Sequence, residues 1–306
     1  MRRSLGGSRG FPGFGAGRRR PLRETFANVL VFELDAGIGD ALKNNQVDVV
    51  FPVLHGPPGE DGTFQGFLEI LKMPYVGSGV HASACAMDKV IAKHFFHDAG
   101  LPVARDRVIS RRDDIRAAAQ QAIAQLGSSL IVKPARQGSA LGVAFTNNAA
   151  ELEAALKAAL AYDERILVEE RITGKEITAG ILERNGVEAL PVIEVRTPPG
   201  SWYDYEHRYT PEFSQHVIPA GLPEEQYLRT QEIAKQAHMT LGCRDLSRVD
   251  FIVPDHGEPV ILEVNTLPGM TPTSLYPEAA RAAGLSFGML VALLVKRALS
   301  RAGAIL

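Results

Sequence analysis

Arg248 and Asp250 stand two apart in the run LSRVDFIV, and Glu263 and Asn265 stand two apart in VILEVNT. In extended backbone, residues two apart project from the same face. The intervening DHGE reads as a four-residue hairpin loop flanked by Pro254 and Pro259. Pairing those prolines sets Asp250 opposite Glu263 and Arg248 opposite Asn265, with facing Cβ atoms roughly 5 Å apart. Two carboxylates so placed repel unless a cation lies between them. With the amide oxygen of Asn265 they form a hard, all-oxygen set of the kind Mg²⁺ takes together with phosphate and water. The same spacing also suits a salt-bridge network around Arg248, or a different register, and spacing alone leaves these readings open.

A second group of residues suits phosphate. Lys133 ends the apolar run LIVKP, and Gln137-Gly138-Ser139-Ala140-Leu141-Gly142 follows at once. A Gly/Ser loop exposes backbone N–H groups that can fold over phosphate oxygens, while a lysine borne on a strand supplies fixed charge. The pattern is not GxxxxGK[ST], and Gly/Ser loops also join strands with no ligand in sight. His55-Gly56 and Gly59-Glu60-Asp61-Gly62 follow an apolar run, where open α/β sheets bind ligands. On these residues alone, a turn with a capping acid is the favoured reading.

The elements that must position these groups alternate along the chain. Asn28–Leu34 and Val47–Leu54 read as short, buried parallel strands, separated from a further strand near Pro74–Val76 by helices near 37–44 and 63–72. One helix is expected from Ser83 to Ala99, stopped by Gly100, and another capped by Ser110 and running to Leu126. Strands at Leu130–Lys133 and Arg165–Glu169 bracket a short strand and a helix near 149–161. Strand-rich sequence reaches 196, and a polar, aromatic loop fills 197–221. A helix near 223–241, strands at 246–253 and 259–265, and two helices complete the chain, the last one capped by Ser286. This order is mixed α/β, with several lobes around a cleft.

Composition excludes other classes. The 306 residues are 45% hydrophobic and 22% charged, ordinary for a globular chain and too apolar for a disordered one. A net charge of -2 gives no overall basic field for nucleic acid or anionic lipid. The longest clean apolar run, Met289 to Val295, is too short to span a bilayer. Cys85 and Cys243 form no disulfide framework and no CxxC site, and they read as small buried residues in a reducing compartment. Residues 1–20 contain six glycines, six arginines and no acid, and they lack the apolar stretch of a signal peptide.

From about Asp48 to Leu299 the chain resembles the D-alanine–D-alanine ligases of the ATP-grasp superfamily. The strings that carry the resemblance are LHGPPGEDGTFQG (54–66), PYVGSGVHASACAMDK (74–89), IVKPARQGSALGV (131–143), WYDYEHRY (202–209) and RVDF with LEVNTLPGMTPTSLYP (248–277). The resemblance implies an α/β, three-lobed ATP-grasp fold. Residues 1–25 form an atypical segment, 26–86 a Rossmann-like N-terminal lobe, 87–178 the central lobe and 179–306 the C-terminal lobe with a Mg²⁺ site. It implies ATP as co-substrate, two Mg²⁺ (or Mn²⁺) ions on Asp250, Glu263 and Asn265, and a cytoplasmic homodimer that meets neither nucleic acid nor membrane. Lys89 and Lys133 would hold phosphates, with the 137–142 loop around Gly138 as a lid, and Arg208 would also bind ATP. Glu169 and the backbone of Glu170 and Ile172 would bind adenine, and Glu176 the ribose. Arg248 and the N–H of Gly269 would stabilise a tetrahedral oxyanion, Ser274 and Leu275 would hold the second D-alanine, and His55 would lie near both substrates. Tyr209, Tyr203 and Ser139 would brace the substrate site in the manner of dipeptide-forming ligases, not of depsipeptide-forming ones.

The chain also departs from that pattern. Arg208 stands where the family has lysine, and a planar fork does not replace an ammonium one for one. Ser139-Ala140 replaces a Ser-Ser pair. The family opens on an apolar strand, a Gly-Gly turn and an SxERxVSL-type motif whose glutamate holds the first D-alanine's ammonium. This chain has Gly6-Gly7 without the strand or that glutamate, and Glu24 is the only acid before Glu33. Back-translation of SRGFPGFGAGRR (8–19) with G/C-rich codons and a one-nucleotide slip can give a string near the missing motif, which suggests a reading-frame change between about residues 8 and 23, although codon choice is free. The expectation is therefore a D-alanine–D-alanine ligase. Its alternatives are a nucleotide-binding homologue impaired at its N-terminus and an ATP-grasp ligase for another carboxylate and amine.

Overall fold

The computed structural model describes residues 26, 28–138, 140–198, 215–271 and 274–303. The first lobe holds helices α1 (Ile38–Asn44) and α2 (Thr63–Ile70), packed through Ile38, Leu42, Phe64, Leu68 and Tyr75. The expected strand Asn28–Leu34 does not form: the segment is irregular, with Leu30 and Val31 half-exposed. Its apolar residues favour extended backbone, but a strand needs a neighbour to take its N–H and C=O groups, and no described residue pairs with it. Phe32 and Leu34 still pack on the lobe's core. The expected strands Val47–Leu54 and Pro74–Val76 reduce to one parallel bridge, Val50 with Tyr75.

The helix expected over Ser83–Ala99 is two helices, α3 (Val80–Met87) and α4 (Lys89–Asp98). Asp88 is extended between them, and its Oδ1 accepts from Ile91 N at 3.2 Å, so a carboxylate caps the second helix from inside the apparent run. Gly100, at φ +68, stops α4 as expected. β1 (Asp106–Ser110) is an unexpected strand, and it ends at the residue expected to cap the next helix. That helix, α5 (Ile115–Leu126), is capped instead by Asp114, whose Oδ1 accepts from Ala117 N at 3.0 Å.

β1, β2 (Leu130–Pro134), β3 (Ala144–Thr146) and β4 (Arg165–Glu170) form an antiparallel sheet in the order β1-β4-β2-β3. Helices α5 and α6 (Ala149–Ala159) cover one face, where small Ala118, Ala119 and Ala122 admit Leu152 and Leu156. A second antiparallel sheet runs β10-β9-β5-β7-β8, with β6 paired to β5. Its strands are β5 (Lys175–Glu183), β6 (Val187–Ala189), β7 (Ile193–Arg196), β8 (Gln215–Val217), β9 (Leu246–Val253) and β10 (Val260–Asn265). Because β5 lies wholly in this sheet, the junction between the two sheets falls at 171–174, ahead of the expected division after 178. Helices α4 and α7 (Glu224–Thr240) share one core with Ile177, Val249 and Phe251. Helices α8 (Leu275–Ala282) and α9 (Phe287–Gly303) pack with Leu182, Ile193 and Leu246 on the other side. Ser286 Oγ accepts from Met289 N at 3.2 Å, the expected cap. Among the described residues no single helix is long and apolar enough to cross a membrane.

An ionic network joins the first lobe to the last helix. Asp245, fully buried, accepts from Gly77 N at 2.9 Å, from Arg297 Nε at 3.2 Å and from Arg301. Arg301 also donates to Tyr75 O at 3.0 Å. Beside it, the His238 ring holds the Glu183 carboxyl down at about 2, with the Asp245 N–H and Arg297 adding to the effect and burial opposing it. A carboxylate depressed in the folded state contributes stability in full above its unfolded value of 4.5, and loses it as pH falls toward 2. Urea unfolding at pH 6 and pH 3 is therefore expected to show a smaller acid loss for Glu183→Gln than for the unaltered chain. Equal losses would place the acid sensitivity elsewhere.

Candidate active site

The β9–β10 hairpin carries the acidic group in the expected pairing, Glu263 with Asp250 and Asn265 with Arg248. The route to that pairing differs from the one expected. Toward the turn, Val260 pairs with Ile252 and Ile261 with Phe251, one residue out of step with the proline-to-proline alignment. A bulge between Ile261 and Glu263 restores the step and turns Glu263 toward Asp250.

Asp250 is a focus of donors. Its Oδ1 accepts from Arg248 Nε at 2.8 Å and Thr178 Oγ1 at 2.7 Å, and its Oδ2 from Arg248 Nη2 at 2.8 Å and Asn265 Nδ2 at 3.1 Å. The salt-bridge network and the acidic pair are thus both present, built on the same carboxylate. Thr178 comes from β5, the strand beside β9, and nothing in the local sequence announces it. Lys89, first residue of α4, faces the acids from the opposite side: its Nζ lies 3.5 Å from Glu263 Oε2 and donates to Gln137 O at 2.7 Å. The break at Asp88 makes this possible, because Lys89 N bonds Ala135 O at 2.9 Å and starts the helix beside the loop that follows β2.

In the central sheet, Lys133 reaches Glu169 across the β2–β4 pair and forms an ion pair with its Oε2. Glu169 Oε1 accepts from Lys93 Nζ at 2.6 Å. Burial works against ionising Glu169, but Lys133 and Lys93 together hold its carboxyl below the usual range. The carboxylate of the neighbouring Glu170 turns outward to Arg105. Gly142, at φ +74, sits so tightly in the loop after β2 that a Cβ there would lie 2.8 Å from Pro134 Cγ and 2.9 Å from Tyr162 Cδ2.

These groups converge on one cleft of about 590 Å³ between the two sheets. Lys89, Lys133, Glu169, Glu170, Ile172, Glu176, Asp250 and Glu263 line it, with Ile131, Phe145, Ile252 and Leu262 as apolar walls. Arg248 and Asn265 adjoin it through Asp250. Gly138 belongs to the loop over the cleft but does not line it. His55 is exposed on the first lobe. Gly269 and Ser274 adjoin in the loop after β10, where a Cβ on Gly269 would lie 2.8 Å from Ser274 Oγ. Leu275 is buried in the core at the start of α8. Ser139, Tyr203, Arg208 and Tyr209 lie outside the described residues.

The sequence reading placed Glu60 in a segment that suits either a ligand or a turn with a capping acid, gave it no role of its own, and passed over Lys93. Glu60 Oε2 accepts from Gly56 N at 2.5 Å. Burial raises its carboxyl, Glu263 adds to the effect, and Arg248 and Lys89 oppose it, so Glu60 shares the electrostatics of the acidic group. For Lys93 a signal existed: it follows Lys89 by four residues, which places both ammoniums on one helical face.

Two antiparallel sheets closing on a cleft with lysines on one wall and paired acids on the other define an ATP-grasp protein. Solved structures agree. The D-alanine–D-alanine ligase of Bacillus anthracis complexed with ATP superposes with a TM-score of 0.78 at 29% identity, covering 91% of this chain and 88% of that one. The ligase of Coxiella burnetii gives 0.73 at 32% identity, covering 84% and 70%. The family model for the D-ala D-ala ligase C-terminus matches residues 95–296, and that for the N-terminus matches residues 29–78. The D-alanine–D-alanine ligase of Desulforamulus reducens is 44% identical over 277 residues, 89% of this chain and 88% of the relative. That of Pelotomaculum thermopropionicum is 43% identical over 282 residues. The chain belongs to the D-alanine–D-alanine ligase family.

Proposed function

We propose that this chain joins two molecules of D-alanine into D-alanyl-D-alanine for peptidoglycan precursors, with cleavage of ATP to ADP and phosphate. The observation that carries the reading is the cleft itself, where Lys89 and Lys133 face Asp250 and Glu263 across a space lined by Glu169 and apolar side chains. It supports a nucleotide with its base between Glu169 and the apolar walls and its phosphates between the lysines and the acids.

The donor set fits Mg²⁺ or Mn²⁺. Among the described residues no group of three His, Cys, Asp or Glu side chains is placed to hold a metal ion by itself. Two carboxylates and an amide suit a hard ion that draws its other ligands from phosphate and water. Such ions, held by Asp250, Glu263 and Asn265, supply charge neutralisation for the phosphates.

The carboxylate of the first D-alanine attacks the γ-phosphorus of ATP, the bond to the ADP oxygen breaks, and an acyl phosphate forms. The amine of the second D-alanine then attacks the acyl carbon, giving a tetrahedral oxyanion. This collapses with loss of phosphate and of the amine proton. Arg248, fixed by Asp250, and the Gly269 N–H stabilise the oxyanion, while Lys89 and Lys133 offset charge on the transferred phosphoryl group. Ser274 and the backbone at Leu275 hold the second substrate's carboxylate, His55 lies beside the substrates, Ser139, Tyr203 and Tyr209 brace the substrate site, and Arg208 takes part in binding ATP. Glu176 takes the ribose. The ligase acts in the cytoplasm as a homodimer.

Phosphate release from ATP and Mg²⁺, measured with and without D-alanine and paired with dipeptide detection, tests the reading. D-alanine-dependent release with dipeptide formed is expected. ATP binding without D-alanine-dependent turnover would favour a homologue impaired at its first lobe. Release with a different amino or hydroxy acid in place of D-alanine would replace the substrate assignment.

A further inference from the structure

Lys93 has no place in the machinery above, yet its ammonium is buried and fully used. Its Nζ donates to Glu169 Oε1 at 2.6 Å and to Ala104 O at 2.7 Å, and it pairs with Asp106 Oδ1 at 2.9 Å. An ammonium has three donors, so this site leaves Lys93 none to offer a ligand. Lys133 differs. Apart from the wall of the cleft it shares, the contact that defines its position is the ion pair with Glu169 Oε2.

Glu169 therefore has one oxygen on a lysine that is locked and one on a lysine that borders the cleft. If Lys133 turned to a phosphate with no second cation present, the buried carboxylate would be left uncompensated, which is costly. Lys93 removes that penalty. We propose that Lys93 is a positioning residue for nucleotide binding. It keeps Glu169 ionised and oriented while Lys133 exchanges Glu169 Oε2 for phosphate, which leaves that oxygen to accept from the exocyclic amine of an adenine. The inference rests on the nucleotide site proposed above, and it adds a base-selection role to a residue outside the cleft lining.

The test is titration of the full chain with Mg²⁺-ATP and with Mg²⁺-ITP, whose base carries an oxo group in place of the amine. The unaltered chain is expected to prefer ATP. Lys93→Met is expected to weaken ATP by about tenfold or more, the cost of a lost charged hydrogen bond, and to shrink the ATP-over-ITP preference. A packing role alone would weaken both nucleotides alike and leave the preference intact. A folded K93M with unchanged ATP affinity and preference would overturn the proposal. Should K93M fail to fold, K93M/E169Q answers the same question, because a residue acting through Glu169 adds nothing once that charge is gone. The double variant is expected to match E169Q, and a further loss beyond E169Q would place the action of Lys93 elsewhere. Absence of ATP binding by the unaltered chain would overturn the underlying site assignment, an outcome distinct from any of these.

Discussion

Asp250→Asn is expected to lower the rate of D-alanine-dependent phosphate release by about 10³-fold, with a smaller change in the affinity for ATP. The size follows from how many functions share one carboxylate. Asp250 fixes Arg248 through two parallel bonds of 2.8 Å each and also takes Thr178 and Asn265. An asparagine keeps the volume but turns one oxygen into a donor aimed at donors. Arg248 then loses its bidentate partner, so in the proposed mechanism its guanidinium is no longer held toward the developing oxyanion charge. The acidic pair loses half its charge at the same moment, so the Mg²⁺ concentration needed for half-maximal rate is expected to rise. Thr178→Val supplies the comparison: it removes a single neutral donor from Oδ1 and is expected to cost about tenfold or less. An Asp250→Asn enzyme within tenfold of the unaltered rate, with unchanged Mg²⁺ dependence, would remove Asp250 from the mechanism.

Asp245→Ala is expected to lower folding stability by about 3–5 kcal/mol, the range for breaking a buried ion pair at one partner. Asp245 is fully buried and answers Arg297, Arg301 and the Gly77 N–H together. Removing it leaves two guanidiniums facing a cavity and opens the seam between the first lobe and α9. A second penalty comes from the backbone, since Asp245 sits at φ +64, which alanine tolerates less well than aspartate or asparagine. Asp245→Asn separates the two contributions, because it keeps the left-handed tolerance and one acceptor while removing the charge. Thermal unfolding should therefore rank the unaltered chain above D245N and D245N above D245A. The same ranking should hold for ATP-independent protection of the first lobe from proteolysis. Equal unfolding temperatures for D245A and the unaltered chain would show that the arginines find other partners.

Much of the geometry of the cleft proposed for the nucleotide was legible in the sequence because it is local. Two residues apart on a strand means one face, so Arg248 with Asp250 and Glu263 with Asn265 could be paired from spacing alone. The pairing was reached through a turn alignment that the chain does not adopt, and a bulge before Glu263 supplies the missing step. Likewise Lys133 at a strand end and the Gly/Ser loop after it belong together by chain continuity. Helix termini were less secure, because Ser110 and Asp114 are both good caps and Asp88 caps from within an apolar run.

By itself the sequence determined which strands carry charge, which lysines end them, and which family the motifs resemble. Tertiary structure alone decided that Thr178 stands on Asp250, that Lys93 and Lys133 divide the two oxygens of Glu169, and that Asp245 joins the first lobe to α9. It also decided that 28–34 stays irregular although its residues favour a strand. The reason is common to all four. Periodicity fixes the direction of a side chain relative to its own element, whereas the partner that satisfies a buried charge or an unpaired backbone comes from a different element, brought there by packing.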